Sequence, residues 1–220
     1  MPQLFTYTIP VDDGAAPNPF RGICTLAICK PGIRRVAKKG DWVAGLGSKN
    51  APSGDLSKRL VYAMRIGEVI SLKDYDQRAP TEWPDRIPNI QSADLWERLG
   101  DCIYDYSRRP PTQRPGVHGL GNIETDLSGK NVLISRDFYY LGNRAIKLPK
   151  NLHPICHQTQ GHRKNSNAAY FEQFVAWVRG LGLAPNQMHG WPDYIPSWSS
   201  IDSSGACSAR KLDGEVDAPC

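Results

Sequence analysis

Short apolar segments alternate with turn-forming and basic segments in the first 48 residues, and this pattern limits the chain to short strands around a helix. Residues 4–9 are β-branched and aromatic, residues 23–28 are apolar, and a third apolar segment begins at Trp42. Pro31 and Gly40 bracket the basic stretch between them, and proline in the first turn with glycine past the end is typical of a helix. The sequence therefore predicts strand, strand, helix and strand, the pattern of an α+β domain.

The rest of the chain carries two longer apolar segments and one clear helix. Residues 60–70 and 131–140 each predict a single strand. Apolar side chains at helical spacing over residues 168–181 predict the helix. Together these elements predict a small, strongly bent mixed sheet with flanking helices, in a single domain over residues 1–185 followed by an irregular tail over residues 186–220.

Three regions have weaker patterns. Residues 76–90 are rich in proline and are expected to be irregular. Residues 93–99 predict a short helix capped by Ser92. Residues 107–129 lack an apolar period and form a longer connection than a compact domain needs, so we expect this segment to be functional or disordered.

Composition sets few limits on the partner but argues against a membrane. The 220 residues carry a formal net charge of +5, which permits an anionic partner without requiring one. The sequence has no run of about 18 apolar residues and no secretory pattern, so we expect a cytoplasmic protein without a membrane span. Its six cysteines should then stay reduced. Cys24 and Cys29 have apolar neighbours, which favours small buried hydrophobic residues over reactive or metal-binding thiols.

Two segments combine aromatic and acidic side chains. Asp41 and Trp42 follow the predicted first helix. The plain interpretation is a capped corner with a packed indole, and the alternative is a face on which a nucleobase stacks. In the later strand, alternation places Asp137 and Tyr139 on one face. Such a pair suits reading a base edge or general acid–base chemistry, although a surface carboxylate beside a half-buried phenol is the commoner arrangement.

A histidine-rich segment has two further interpretations. His153, Cys156, His157 and His162 are residue types that bind zinc, but no Cys-x-x-Cys pair accompanies them, and we predict no metal site. His162 and Arg163 precede a predicted helix, where an anion clamp for phosphate is about as well supported as a solvated loop. No phosphate-loop or dinucleotide motif is found, and no cofactor is predicted.

Several blocks of the sequence resemble, in the same order, the second of the nucleotide modification associated domain families. The resemblance spans about residues 4–182 and is carried by residues 7–48, 60–65, 101–104, 132–142 and 161–163. It implies a link to modified nucleotides or modified DNA, largely in bacteria and their phages, and it implies no particular mechanism. The helix, the Gly-Asp corner and the long strand are also similar to PUA-like and EVE-like domains, which implies a PUA-like β-barrel as the alternative to an open bent sheet.

These observations lead to a first hypothesis, a protein that binds a modified nucleobase or nucleotide in an aromatic and acidic pocket. Three aromatic side chains would line the pocket, three carboxylates would read polar edges, and three basic groups would meet phosphate. In that order, the residues are Trp42, Tyr139 and Tyr140; Asp12, Asp41 and Asp137; and His162, Arg163 and Arg35.

The competing hypothesis is an enzyme that modifies or hydrolyses a base, sugar or nucleotide. Asp137 or His162 would then act as general acid or base. In both cases the expected partner is a nucleotide or nucleic acid, and the oligomeric state stays open.

Overall fold

A computed structural model describes residues 1–156, 162 and 164–195 of the chain. The predicted site residue Arg163, the zinc-type residue His157 and the part of the predicted tail from residue 196 onward lie outside the described residues.

Strands and helices alternate along the described chain. The strands are β1 (Leu4–Ile9), β2 (Cys24–Leu26), β3 (Trp42–Gly47), β4 (Arg59–Arg65), β5 (Glu68–Ser71), β6 (Tyr104–Asp105), β7 (Thr112–Gln113), β8 (Asn131–Ser135), β9 (Phe138–Tyr140), β10 (Ile146–Lys147) and β11 (Gln187–Met188). The α-helices are α1 (Pro31–Val36), α2 (Leu72–Glu82), α3 (Leu95–Arg98), α4 (Ile123–Ser128) and α5 (Phe171–Arg179).

The larger sheet has the strand order β1-β3-β4-β9-β11, with β10 paired to β4. Its β1–β3 and β9–β11 pairs are parallel and the others are antiparallel. A smaller antiparallel sheet has the order β2-β8-β5, and β6 pairs with β7. The predicted α+β fold with mixed sheets and flanking helices is confirmed, whereas these sheets are not closed into a barrel and the PUA-like alternative is not confirmed.

The core lies in layers on both sides of each sheet. Apolar side chains of the larger sheet face α5 on one side, where Phe174 and Val178 are buried. On its other side they meet the smaller sheet and α1. The far face of the smaller sheet packs against α2 through Tyr75 and Ala79. The order of layers is therefore α5, larger sheet, smaller sheet and α2, and both faces of each sheet remove apolar surface from water.

The two segments predicted as long single strands are each divided between the sheets. The segment over 60–70 contains β4 of the larger sheet and then β5 of the smaller one, and the segment over 131–140 contains β8 and then β9. The single-strand predictions are therefore wrong. Each break falls at polar residues or a glycine, over residues 65–68 in the first segment and 135–137 in the second, which the sequence prediction kept within one strand.

Hydrogen bonds tie the two crossing points to each other. The Gly67 amide donates to the Ile134 carbonyl at 2.9 Å, and the Arg65 amide donates to the Asp137 carbonyl at 2.9 Å. The Ser135 hydroxyl donates to the Arg65 carbonyl at 2.6 Å. Backbone groups freed by the change of sheet are thus satisfied, as buried polar groups require.

Two helix predictions need correction. Residues 76–90 were expected to be irregular, but α2 begins at Leu72 and includes Pro80. Ser71 caps this helix by accepting the Asp74 amide at 3.0 Å, and Pro80 lies close to the C-terminal end, where its missing N–H costs a single bond. The cap of α3 is Asp94 instead of Ser92, since its carboxylate accepts the Trp96 amide at 2.9 Å.

The predicted tail begins too early. Residues 187–188 form β11, in register with Tyr139 and Tyr140 of β9. The Asn186 amide donates to the Phe138 carbonyl at 2.7 Å and the His189 amide to the Tyr140 carbonyl at 2.7 Å. A two-residue strand has too little sequence pattern to be recognised, so this segment was assigned to the irregular tail. Within the described residues we find no helix with the length and apolar character that a bilayer span demands.

Candidate functional site

Three of the predicted site residues meet under α5. The Arg179 guanidinium donates to Asp137 at 2.7 Å and to the Tyr139 hydroxyl at 2.9 Å, and it lies 5.1 Å from the centre of the Trp42 ring. Trp42 is only 2% exposed and packs edge-on against Phe174. The predicted shared face of Asp137 and Tyr139 is present, but the indole is covered by protein side chains instead of facing a ligand.

Tyr140 and Asp12 meet on the opposite face of the larger sheet. The Tyr140 hydroxyl donates to Asp12 Oδ2 at 2.7 Å. Asp12 is 5% exposed, and burial raises its pKa to about 7, opposed by the Tyr140 hydrogen bond and assisted by the nearby Asp13 carboxylate. Its second oxygen, Oδ1, is buried and has no hydrogen-bond partner among the described residues. Asp12 and the Tyr140 hydroxyl thus form a polar contact among otherwise apolar side chains.

The remaining predicted residues lie elsewhere. Asp41 accepts the amides of Gln3 and Lys38, each at 2.8 Å, and so caps a corner. Arg35 is exposed on α1 and His162 lies in the connection that precedes α5. The structure therefore places the described candidates in several separate groups, and their role in ligand binding stays a prediction.

A different set of residues converges around Cys29, in the turn between β2 and α1. Cys29 has φ = 58° and the next residue, Lys30, has φ = 43°, a left-handed conformation that is uncommon for side chains of this kind. The Cys29 amide donates to Asp126 Oδ1 at 2.9 Å, and Arg34 Nε donates to the Cys29 carbonyl at 2.7 Å. Local strain of this type persists where surrounding contacts hold it, and it is frequent at functional sites.

The thiol of Cys29 forms the first member of a three-residue chain. Its Sγ lies 3.3 Å from His118 Nε2. His118 Nδ1 lies 2.5 Å from Asp126 Oδ2. Because a carboxylate only accepts, Nδ1 carries the proton of this bond and Nε2 is left to accept the proton of the thiol. Thiol, imidazole and carboxylate are therefore in the series that activates a nucleophile in cysteine and serine hydrolases.

Cys29, His118 and Asp126 are all buried. Cys29 is 6% exposed, His118 is 3% exposed and Asp126 is fully buried. Water is largely excluded there, which strengthens hydrogen bonds and charge interactions within the group.

A second layer of contacts fixes the carboxylate and the backbone around it. The Tyr104 hydroxyl donates to Asp126 Oδ2 at 2.8 Å. The buried Arg34 guanidinium donates to the carbonyls of Asp126 at 2.6 Å and Asn131 at 2.9 Å, besides that of Cys29. Gly129 leaves the space for this guanidinium, since an added Cβ would overlap it. One arginine thus holds both ends of the Cys29 to Asp126 chain in place.

Charge in this layer is balanced. Burial lowers the pKa of Arg34, and the nearby Asp126 carboxylate opposes that shift. Burial and the Asp126 charge together raise the pKa of the Tyr104 hydroxyl, which keeps it a hydrogen-bond donor. Asp126 therefore has bonds from a ring N–H, a hydroxyl and an amide, which is the satisfaction that a buried carboxylate needs.

Other described thiols have a different environment. Burial raises the pKa of the Cys24 thiol, and it raises that of Cys102 to about 12. Both are buried free thiols, which agrees with the favoured prediction for Cys24. Cys29 is also buried, but its contact with an imidazole supports the less favoured interpretation, a reactive thiol.

Comparison with known proteins places the chain in a family. The sequence profile described as nucleotide modification associated domain 2 matches residues 1–196. The chain belongs to this family. The resemblance predicted from the sequence is confirmed, and the matched range includes β11 and the whole Cys29 group. Membership suggests a role in nucleotide modification.

No curated protein and no solved structure matches this nucleotide modification associated domain.

Sequence reasoning missed His118 and Asp126 in this family member. The two residues are 8 positions apart, and Cys29 lies 89 positions before His118. No short motif joins positions at such separation. The available signal was the long connection over 107–129, which contains both residues and was expected to be functional or disordered.

The histidine-rich segment has local contacts where it is described. His153 Nε2 donates to the Leu148 carbonyl at 3.2 Å. Within residues 1–156, 162 and 164–195, no three His, Cys, Asp or Glu side chains are grouped as metal ligands. The interpretation of His157 as a ligand falls outside the described residues.

Proposed function

We propose that this protein is a cysteine-dependent enzyme that acts on a nucleotide or a nucleic-acid base, with Cys29 as the nucleophile. The observation that carries the proposal is the continuous chain from Cys29 Sγ to His118 at 3.3 Å and from His118 to Asp126 at 2.5 Å. Family membership supplies the substrate class, since it suggests a role in nucleotide modification.

The first step is the activation of the thiol. His118 Nε2 accepts the proton of Cys29 as the sulfur attacks, and Asp126 stabilises the imidazolium that forms. Asp126 also holds the ring in the tautomer with its proton on Nδ1, because its Oδ2 accepts that N–H. The Tyr104 hydroxyl keeps the carboxylate from turning away, and Arg34 holds the Asp126 backbone through its carbonyl.

The target is a trigonal carbon that bears a nitrogen or oxygen leaving group, as in an amide, an ester or an amidine. The thiolate forms a C–S bond and the carbon becomes tetrahedral. The bond to the leaving group then breaks as the His118 imidazolium gives its proton to the departing nitrogen or oxygen, which leaves a thioester or its amidine counterpart on Cys29. Water or an amine acceptor next attacks that carbon, His118 takes its proton, and the C–S bond breaks to regenerate the thiol.

This reaction class fits the site because a His-paired thiol serves both halves of such a transfer. One group must first remove a proton from the nucleophile and later supply it to a poor leaving group, and a histidine does both near neutral pH. A hydrolase and a transferase differ only in the second acceptor.

Among acid–base roles, the geometry supports His118 more than Asp137 or His162. Asp137 is bound by the Arg179 guanidinium at 2.7 Å, which makes it an ion-pair partner rather than a base poised toward a substrate. His162 is close to Phe5, with ring centres 5.8 Å apart, and is not part of the Cys29 chain of hydrogen bonds.

Binding of a modified base without chemistry is the second candidate, and one observation favours it. The unpartnered Asp12 Oδ1 lies beside the Tyr140 hydroxyl, and a buried carboxyl with an open acceptor is suited to a polar edge of a base. In that case the replacement of Cys29 by serine would leave ligand recovery intact.

The test is the reactivity of Cys29 in the folded protein. Iodoacetamide labelling with peptide mass spectrometry compares Cys29 with the buried Cys24 and Cys102 of the same molecule. We expect Cys29 to be alkylated before Cys24 and Cys102 at pH 7. In the His118→Gln variant, alkylation of Cys29 should be at least about tenfold slower, because a general base typically contributes a factor of about 10² or more to the rate.

His189→Gln is the matched control, because His189 Nε2 donates to the Ala184 carbonyl at 2.8 Å, away from the thiol. Circular dichroism checks that each variant is folded. Equal labelling of Cys29, Cys24 and Cys102, or equal rates in the His118 and His189 variants, would overturn the proposed enzyme.

A further inference from the structure

Two lysine ammonium groups each lie over an aromatic ring of β1, and one of them belongs to Lys30 in the Cys29 turn. Lys30 directly follows the nucleophile, and its Nζ lies 4.8 Å from the centre of the Tyr7 ring. Lys164 Nζ lies 5.9 Å from the centre of the Phe5 ring. Phe5 and Tyr7 are two positions apart in β1 and face the same apolar layer, so the two cations lie over rings on the same side of the strand.

His162 completes a basic surface at the same place. A Cβ added at Gly32 would lie 3.0 Å from His162 Cε1, so the imidazole rests directly on the first turn of α1. The same ring lies against Phe5, with ring centres 5.8 Å apart. Gly32 is three positions from Cys29, and a side chain at this position would crowd His162.

An open cavity of 420 Å³ lies here, lined by His162, Lys164, Asn165 and Ser166. None of these four described residues is acidic, and each carries a group that donates a hydrogen bond. The volume falls in the range of about 300–1,000 Å³ that is usual for small-molecule sites.

We propose that this cavity binds a phosphate group of the substrate, so that the substrate of the Cys29 site is a nucleotide or a nucleic acid and not a free base or nucleoside. Lys30, Lys164 and His162 supply charge, and Asn165 and Ser166 supply neutral donors. The inference rests on the proposed function, because that function sets the orientation of the bound substrate. Its phosphate would lie in the cavity and its reacting carbon at the Cys29 sulfur. It extends the predicted phosphate role of His162 to Lys30 and Lys164.

Aromatic support explains why these particular cations suit a binding site. A lysine in water is mobile, and ordering it for a ligand costs side-chain entropy. Contact with the Tyr7 and Phe5 rings restricts Lys30 and Lys164 before the ligand arrives, so less ordering remains for binding.

The first arm of the test varies only the charge of the alkylating reagent. Iodoacetate and iodoacetamide deliver the same carbon with the same leaving group to Cys29, but only iodoacetate is an anion. We expect the ratio of the iodoacetate rate to the iodoacetamide rate to fall about fivefold in Lys30→Gln or Lys164→Gln, the order of effect of one partly screened charge. Lys150→Gln is the control, since Lys150 is exposed in another connection, and it should keep the ratio of the parent protein.

The second arm measures the binding of adenosine 5′-monophosphate and adenosine by calorimetry, without use of the thiol. We expect the monophosphate to bind at least about fivefold more tightly than the nucleoside, and this preference to be lost in Lys164→Gln. Equal affinity for the two probes, or a preference that survives in both lysine variants, would overturn the phosphate site.

The two proposals fail in different measurements. If His118→Gln leaves the Cys29 rate unchanged while the monophosphate preference depends on Lys164, the enzyme proposal is wrong and the phosphate site stands. If His118 controls the rate but neither lysine changes the charge ratio or the monophosphate preference, the phosphate site is wrong and the enzyme proposal stands.

Discussion

Replacing Asp12 by asparagine should make the protein more stable in mild alkali, although it removes a buried hydrogen-bonding carboxylate. Asp12 is 5% exposed, and burial is the largest cause that raises its pKa from 3.8 to about 7. The fold therefore favours the neutral carboxyl, whereas the unfolded chain ionises it at its ordinary pKa. The stability that Asp12 contributes is complete below the unfolded pKa and is lost as pH rises through the folded pKa.

The size of the effect follows from this difference. Each pH unit between the two pKa values changes the free energy of unfolding by about 1.4 kcal/mol. From pH 5 to pH 8 the folded protein crosses about two such units, so the parent protein should lose about 3 kcal/mol from this one group. Asparagine does not titrate and its carbonyl still accepts the Tyr140 hydroxyl, at a cost of about 1 kcal/mol for a buried amide with incomplete bonds. Since the parent has already lost about 1.7 kcal/mol between its unfolded pKa and pH 5, the variant should be slightly more stable than the parent at pH 5 and about 3 kcal/mol more stable at pH 8.

Urea unfolding at pH 5, 6, 7 and 8 measures the difference between the two proteins. Other titrating groups change both proteins in the same way and cancel from that difference. Asp41→Asn is the control, because Asp41 is equally buried but accepts two backbone amides at 2.8 Å. It should lower the stability at pH 8 instead of raising it. A difference between parent and Asp12→Asn that is constant from pH 5 to pH 8 would refute the reasoning.

Arg34→Lys removes the fork that bonds the Cys29 and Asp126 carbonyls, so urea unfolding should show a loss of about 2–4 kcal/mol. Cys29 alkylation should also slow in the folded variant, and an unchanged rate would mean that Arg34 does not position the thiol. Asp137→Asn should cost only about 0.5–1 kcal/mol, because the Asp137 and Arg179 side chains are 29% and 39% exposed and water screens the pair. If this change slowed Cys29 alkylation more than about twofold, Asp137 would return to consideration as a catalytic group.

Elements with a strong local signal could be predicted from the sequence. The strand β1 was predicted with its observed bounds, because a six-residue run with five β-branched or aromatic residues ends at a proline. The helix α1 was placed by its proline, although it ends at Val36, before the predicted glycine stop. The helix α5 was placed by its apolar period, although its first predicted turn is a 3-10 segment, Asn165–Tyr170.

Other parts of the fold depend on contacts that a single sequence does not display. The change of sheet between β4 and β5 falls at residues 65–68, where charged residues and a glycine interrupt the apolar run, but such an interruption also occurs within a single strand and does not by itself indicate a second sheet. The helix α2 is polar and contains a proline, so its local propensity opposed a helix that packing against the smaller sheet stabilises.

The candidate site was the least predictable part. Cys29 belonged to the segment that first drew attention, but its partner residues lie in a connection without periodicity. A hydrogen bond between positions 89 residues apart depends on tertiary structure alone. The residues selected from the sequence were conspicuous aromatic and acidic ones, and the structure uses Trp42 and Asp41 for packing and capping.

The paired crossing points between the two sheets also limit how the molecule can move. Because Arg65 and Gly67 bond across to Asp137 and Ile134, neither sheet can rotate against the other without breaking backbone bonds of both. A hinge motion between the sheets would therefore have a free-energy cost close to that of unfolding, and not that of a local fluctuation. Under the proposed function, a substrate would therefore reach Cys29 through movement of the surrounding connections, while Cys29 itself keeps a constant depth.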